Sequence, residues 1–185
     1  MRLNLRAVLA VAVLLSTALL CSACEAVFLN PLSDSRDAKP DERLLGKWVS
    51  TDEHEAGAYI QFDAGANREL NVSASGIDEG QNPGFTMFTT KTGKHTYMNL
   101  NPTDKDRGRG YLIVRYAVEG DRLTVWILDS DKLAAAIKRG ELKGNPGEGY
   151  GKTTVSDTPA KVAAFLESSS AGELFPYAAR FERMK

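Results

Sequence analysis

The chain has 185 residues, with 23 Lys and Arg against 24 Asp and Glu, a formal net charge of −1 and two cysteines. That length suits one domain. The balanced charge argues against nucleic acid as a partner, because such a surface needs a clustered basic excess. Two cysteines exclude a disulfide-dense scaffold and, without help from histidine, a four-ligand zinc site. The composition is that of an ordinary globular protein and indicates no cofactor or metal.

The first 23 residues have the pattern of an export signal. Arg2 and Arg6 supply a positive start, and residues 7–20 are apolar apart from Ser16 and Thr17. A membrane-spanning helix needs about 20 apolar residues, so this run is short for a permanent span. We therefore expect residues 1–23 to be a signal peptide.

Small residues stand directly before a cysteine at the end of this signal: Ser22 and Ala23 precede Cys24. The segment resembles the lipobox of bacterial lipoproteins, although Cys21 occupies a position where that motif usually carries Leu. The resemblance implies that the Cys24 thiol carries a diacylglycerol, with palmitate as an acyl chain. Cleavage by an ordinary signal peptidase is the alternative. Glu25, where enteric inner-membrane lipoproteins carry Asp, favours the outer membrane of a bacterial cell envelope, facing the periplasm.

Residues 24–43 read as a flexible tether between this anchor and a folded body. The segment contains Pro31 and Pro40, several charged residues, and no apolar period after Leu32. Proline and polar residues at this density disfavour regular structure. We expect the folded domain to span residues 44–185.

Short segments with period-2 alternation follow, separated by turn signals, and they predict strands. The predicted strands are 46–50, 58–62, 68–73, 85–90, 95–100, 111–118, 122–128 and 177–184. Gly93 and Gly120 mark two tight hairpins. Because consecutive strands joined by short turns form a meander, we expect a single antiparallel up-and-down barrel of about eight strands.

Two helices are predicted between the last two strands, in an insert over residues 129–176. Asp129 or Ser130 caps the first, over 132–138. Thr158 caps the second, with Pro159 in its first turn. In a binding module, this insert could cover one mouth of the barrel.

The opening and closing strands resemble those of lipocalin-type barrels. Residues 45–48 read Leu-Gly-Lys-Trp, similar to the Gly-x-Trp of that family, and residues 119–125 and 181–183 resemble its late hairpin and closing strand. The family's middle motif has no counterpart, and the helices precede the last strand instead of following it. The resemblance thus implies a lipocalin-like barrel.

In that family the tryptophan closes one end of the barrel beneath an arginine from the last strand. The resemblance assigns these places to Trp48 and Arg183, with Arg180 as the other candidate. Strand alternation favours Arg183, which shares the face of Phe181.

Three motifs invite a chemical function. Residues 144–153 approach a phosphate-binding loop, but Pro146 stands where its first Gly belongs and a β-branched run follows, so a surface loop is favoured. Residues 52–55 set three carboxylates around His54, which as a strand-to-strand turn is better explained as solvated surface than as a metal site. His95 lies in a strand with no nucleophile motif nearby. No catalytic residue is assigned, and the chain is not expected to be an enzyme.

These patterns support a lipid-anchored, non-catalytic binding module for a small apolar ligand or an envelope partner. The alternative is a purely structural or interaction lipoprotein whose barrel is filled with side chains. A hydrolase with a site that the sequence does not reveal comes third. The state of the interior separates the first two, and the expected lining is bulky enough for a filled barrel. That lining comprises Ile60, Phe62, Leu112, Val114, Tyr116, Val125 and Phe181.

Overall fold

A computed structural model describes residues 26–38, 40–55, 57–75, 84–103, 110–147, 153–168, 171 and 173–185. Its strands are β1 (Ala26–Phe28), β2 (Gly46–Ser50), β3 (Tyr59–Ala64), β4 (Leu70–Ser75), β5 (Phe85–Thr92), β6 (His95–Pro102), β7 (Leu112–Glu119), β8 (Arg122–Ile127), β9 (Gly144–Asn145), β10 (Thr153–Val155) and β11 (Tyr177–Arg183). Its α-helices are α1 (Ser130–Lys138) and α2 (Pro159–Glu167), and its 3-10 turns are Ser35–Asp37, Glu42–Leu44 and Glu53–Glu55.

Eight of these strands close into one antiparallel barrel, which confirms the predicted fold class. The strands β2 to β8 pair in chain order, and β11 pairs with both β8 and β2 to complete the ring. Gly93 and Gly120 adopt positive φ angles, +54° and +60°, in the turns between β5 and β6 and between β7 and β8. Glycine reaches this region without steric cost, so both hairpins form where they were predicted.

The barrel interior is filled with side chains. Trp48, Met87 and Leu123 are fully buried there, and aromatic rings from β3, β7 and β11 pack with them. An eight-stranded barrel is just wide enough for its side chains to fill it. The interior cluster comprises Leu44, Trp48, Phe62, Leu70, Val72, Met87, Met98, Tyr116, Leu123, Val125 and Phe181.

The two helices lie in the predicted insert, but they cover the outer wall of the barrel and not its mouth. Asp129 caps α1 by accepting hydrogen bonds from the backbone of the first turn, and Thr158 caps α2 ahead of Pro159. The helices share a second hydrophobic core with Tyr97 and Ile113. Side chains of neighbouring strand residues point to opposite faces of the sheet. Tyr97 therefore points outward beside Met98, and Ile113 beside Val114, because Met98 and Val114 belong to the interior cluster or pack against it.

The prediction of a flexible tether is wrong for the described part of residues 24–43. β1 pairs in parallel with β10, which in turn pairs with β9, and this small sheet lies outside the barrel. Phe28 and Leu32 are buried in the second core, and the Leu32 N–H donates to Asn99 Oδ1 at 2.8 Å. The prolines and charges of this segment misled the prediction because its apolar residues find partners on the insert, far away in sequence.

The predicted signal peptide, residues 1–23, and Cys24 lie outside the described residues. Among the helices that are described, none is both long and apolar enough to cross a membrane. The lipid anchor therefore stays a prediction from sequence.

Candidate ligand-binding site

Trp48 of β2 is fully buried and belongs to the interior cluster of the barrel. Its indole Nε1 donates to the Leu44 carbonyl at 2.7 Å, so the polar edge of the ring is satisfied inside the core. The Arg183 guanidinium lies over the ring, with Cζ 4.2 Å from the centroid. Trp48 and Arg183 are also direct cross-strand partners between β2 and β11. Arg183 is thus the arginine that lies over Trp48, of the two candidates that the lipocalin resemblance offered.

Backbone oxygens hold Arg183 in this position. Its Nη1 donates to the Leu45 carbonyl and its Nη2 to the Arg43 carbonyl, each at 2.5 Å. Gly46 has a φ of +107°, and a side chain there would come within 3.4 Å of Arg183 Nη1. The Gly-x-Trp motif thus combines a glycine that the backbone needs with the tryptophan beneath the arginine. Arg180, the other candidate, is exposed to solvent.

A hydrogen bond joins the barrel to the 3-10 turn that precedes β2. The Tyr116 hydroxyl donates to Asp41 Oδ2 at 2.8 Å, and Arg43 forms an ion pair with the same carboxylate, also at 2.8 Å. Burial alone raises the pKa of Asp41, but the hydrogen bonds from Arg43 and Tyr116 outweigh it and hold that pKa below its usual value. The phenol of Tyr116, buried beside this anion, has its pKa raised.

We expect this contact to make stability depend on acid. A carboxyl whose pKa is lowered on folding stabilises the protein above its unfolded-state pKa, and that contribution is lost as pH falls through the folded-state pKa. Urea melts should therefore show a larger loss of stability between pH 7 and pH 3 for the wild type than for Asp41→Asn. Asp63→Asn, an exposed aspartate of β3, is the matched control and should behave as the wild type. Equal losses in the wild type and Asp41→Asn would contradict this role.

The outer wall of the barrel carries a row of three large side chains on neighbouring strands. Tyr97 of β6 pairs with Arg115 of β7, and Arg115 pairs with Trp126 of β8. Directly opposed residues project to the same side of a sheet, so the three lie side by side. The Arg115 Cζ is 4.7 Å from the centroid of the Trp126 ring.

The insert lies over this row and leaves a cavity of about 560 Å³ beneath it. Phe175, which precedes β11, contributes a ring whose centroid is 5.8 Å from that of Tyr97 and 5.1 Å from Arg115 Cζ. Cavities of this size are typical of sites for small molecules. We call it the outer-wall pocket. It is lined by Gly93, Lys94, His95, Tyr97, Arg115, Leu166, Glu167, Ser168, Ala171 and Phe175.

Arg115 is the central polar group of the outer-wall pocket. Its Nε is buried and has no hydrogen-bond partner, and no ion pair joins it to another described residue. Burial lowers the pKa of this guanidinium, but arginine starts from about 12 or higher and stays charged. A charge that is partly removed from water without a counter-ion is costly. The pocket is therefore suited to a ligand group that supplies a counter-ion for Arg115.

Two other polar groups of the pocket, Glu167 and Ser168, already have hydrogen-bond partners. Glu167 accepts a hydrogen bond from the Thr92 hydroxyl, and Ser168 Oγ donates to the Phe165 carbonyl at 2.6 Å. Burial, and then the nearby charges of Arg115 and Lys94, lower the pKa of His95. Among the described residues no hydrogen bond links His95 to Ser168, which gives no support to a serine–histidine site here.

The other motifs considered in the sequence have ordinary surroundings where they are described. Gly144–Asn145 pairs with β10, so the loop between them joins two strands, whereas a phosphate-binding loop opens a helix. Residues 148–152 of that loop lie outside the described residues. Glu53–Glu55 is a 3-10 turn, and the described residues contain no group of three or more side chains that could hold a metal ion.

Reasoning from sequence did not identify Arg115, Trp126 or Phe175 as site residues. Of the residues that line the outer-wall pocket, it considered only His95 for a chemical role. The available signal was the outward face of β6 to β8, where large side chains occur at positions that face solvent in a bare barrel wall. No protein-family model, curated protein or solved structure matches this chain.

Proposed function

We propose that the protein is a lipid-anchored, non-catalytic binding module of the bacterial cell envelope, and that its ligand occupies the outer-wall pocket. The observation that carries the proposal is a cavity of about 560 Å³ lined by the rings of Tyr97 and Phe175 and by Arg115, to which the described residues give no counter-ion. The anchor is the lipid on Cys24, and the expected location is the outer membrane on its periplasmic side.

The packing of the barrel favours a ligand site on its outer wall over a site in its interior. Met87 and Leu123 fill the interior together with Trp48, and all three are fully buried. A ligand held inside the barrel would have to displace such side chains from a close-packed core, at a large cost in free energy. The space between the barrel wall and the insert already exists and requires no such rearrangement.

The anchor would hold the folded body close to the membrane. Ala26 is already paired with Thr153 in the small sheet, and it follows Cys24 by two residues. Two residues of extended chain span at most about 7 Å. A lipidated Cys24 would thus place the small sheet next to the bilayer, where the tether inferred from sequence would have separated them.

The anchor is tested by Cys24→Ser, which should yield an unprocessed or soluble protein without acyl chains. Partitioning into detergent and an intact mass measure both properties. Cys21→Ser is the matched control, because it removes the other cysteine of the signal and should leave the lipidated mass adduct unchanged. If the Cys24→Ser protein keeps an acylated mass, Cys24 is not the site.

Ligand binding is tested by native mass spectrometry of the protein purified from its own membrane. A retained small molecule should appear as an adduct in the wild type and be reduced in Phe175→Ala, which removes one wall of the outer-wall pocket. Tyr177→Ala is the control, since this neighbouring aromatic is 65% exposed and lies outside the pocket. An adduct of equal intensity in all three proteins would place the ligand elsewhere.

A second candidate function is that of an interaction lipoprotein without a small ligand. The filled interior of the barrel favours this candidate. Two exposed apolar side chains, Ile127 and Tyr177, face each other across β8 and β11, on the surface that such a partner would contact. Loss of a co-purified envelope protein in Tyr177→Ala but not in Phe175→Ala would support this candidate over the first.

A further inference from the structure

We infer that the ligand of the outer-wall pocket is a small amphipathic anion: one phosphate or carboxylate group on an apolar, preferably aromatic, body. The inference rests on the proposed function, whose site it shares. It replaces the apolar ligand expected from sequence with a charged one.

The charges that line the pocket favour an anion. Lys94 and Arg115 are cationic, Glu167 is the acidic residue among the described lining, and His95, whose pKa is lowered, can donate a hydrogen bond without adding charge. Glu167 is engaged by Thr92, and the structure shows no ion pair between it and Arg115. The side chains of Lys94, His95 and Arg115 also line an adjoining cavity of about 270 Å³, to which Arg43 adds a further cation and Glu119 an acid.

The surroundings of Arg115 favour an anion that contacts the edge of its guanidinium. The Arg115 Cζ lies 4.7 Å from the Trp126 ring centroid and 5.1 Å from that of Phe175, so two aromatic rings pack against the guanidinium. A guanidinium donates hydrogen bonds in its own plane and binds carboxylate and phosphate oxygens in pairs. The Nε itself is sealed from the pocket, so an oxyanion of the ligand would accept from the terminal Nη groups of Arg115, which are not among the buried atoms without partners.

The rest of the lining favours an apolar body on that anion. Leu166, Ala171 and Phe175 are buried and come from the insert, opposite the barrel wall. Apolar surface of this kind stabilises a ligand in proportion to the area removed from water. Inorganic phosphate would satisfy Arg115 and leave this wall without a partner, so head group and body are both expected to contribute.

The experiment uses the full chain, purified in a nonionic detergent, and calorimetric titration with four probes. The probes are phenyl phosphate, phenylacetate, phenyltrimethylammonium and inorganic phosphate. We expect the two aryl anions to bind, the aryl cation not to bind, and inorganic phosphate to bind at least about 10-fold more weakly than phenyl phosphate, because it lacks the apolar contacts.

Variants assign the binding to Arg115. Arg115→Gln should weaken phenyl phosphate at least about 10-fold, since it removes charge-assisted hydrogen bonds. Arg115→Lys keeps the charge but loses the planar fork, so it should cost less, and it serves if Arg115→Gln does not fold in a urea melt. Arg122→Gln, the same change at an exposed position of β8, should stay within about 2-fold of the wild type, as expected of a surface site.

The outcomes separate this inference from the proposed function. Binding of phenyltrimethylammonium as tightly as phenyl phosphate, with loss in Phe175→Ala, would overturn the anion class and leave the binding module standing. Equal binding of inorganic and phenyl phosphate would overturn the apolar body. If no probe binds and the native mass spectrum shows no adduct, the proposed function fails together with the inference.

A final arm distinguishes a lipid from a free metabolite. Phosphatidylglycerol vesicles that displace bound phenyl phosphate, where phosphatidylcholine vesicles do not, would support the anion class and identify a membrane lipid as its source. Retention of phenyl phosphate against both vesicles would support the same class and identify a free small molecule.

Discussion

Replacing Trp48 by alanine should lower the free energy of unfolding by about 3–5 kcal/mol, the range found when a large buried aromatic is removed from a core. The indole is fully buried, its Nε1 donates to the Leu44 carbonyl, and the ring supports the Arg183 guanidinium. A domain of ordinary stability has only about 5–15 kcal/mol to lose. The variant should therefore be largely unfolded at moderate urea concentration.

Two further substitutions make the result specific to Trp48 and its surroundings. Arg183→Ala should cost less than Trp48→Ala, because it removes a stacked cation, worth about 0.5–2 kcal/mol, and the packing of its stem. Tyr177→Ala removes an exposed aromatic of the same strand and should stay within about 0.5 kcal/mol of the wild type. If Trp48→Ala melts as the Tyr177 variant does, the tryptophan does not close the barrel.

The barrel could be predicted because its signals are local. Alternation places Phe62 and Phe181 inward, while Gly93 and Gly120 fix the hairpins through positive φ. The arrangement of Trp48 under Arg183 needed one further step, the resemblance of a three-residue motif. These features depend on neighbours in sequence or on adjacent strands.

The outer-wall pocket could not be predicted in the same way, because it depends on which element covers which wall. Tyr97, Asn99 and Ile113 are all at most 3% exposed, although they point away from the barrel interior. Such residues on the outward face of a strand indicate a second layer, but nothing near them in sequence says that the layer is the insert. Phe175 is 60 positions from Arg115 in the chain, and only the fold brings them together.

The N-terminal segment is the sharpest case, and Phe28→Ala tests it. A tether would be indifferent to this change, whereas a phenylalanine that is 1% exposed in the second core should cost about 3–5 kcal/mol. Leu29→Ala is the matched control from the neighbouring position: Leu29 is 50% exposed, and its loss should stay within about 0.5 kcal/mol. Urea melts of the chain from residue 25 onward measure both.

A chain that began at Leu44 would lack Phe28, Leu32 and the strand that pairs with β10, so it should be less stable than either variant. Equal melting of all these proteins would restore the tether and, with it, the freedom of the barrel to move away from the bilayer.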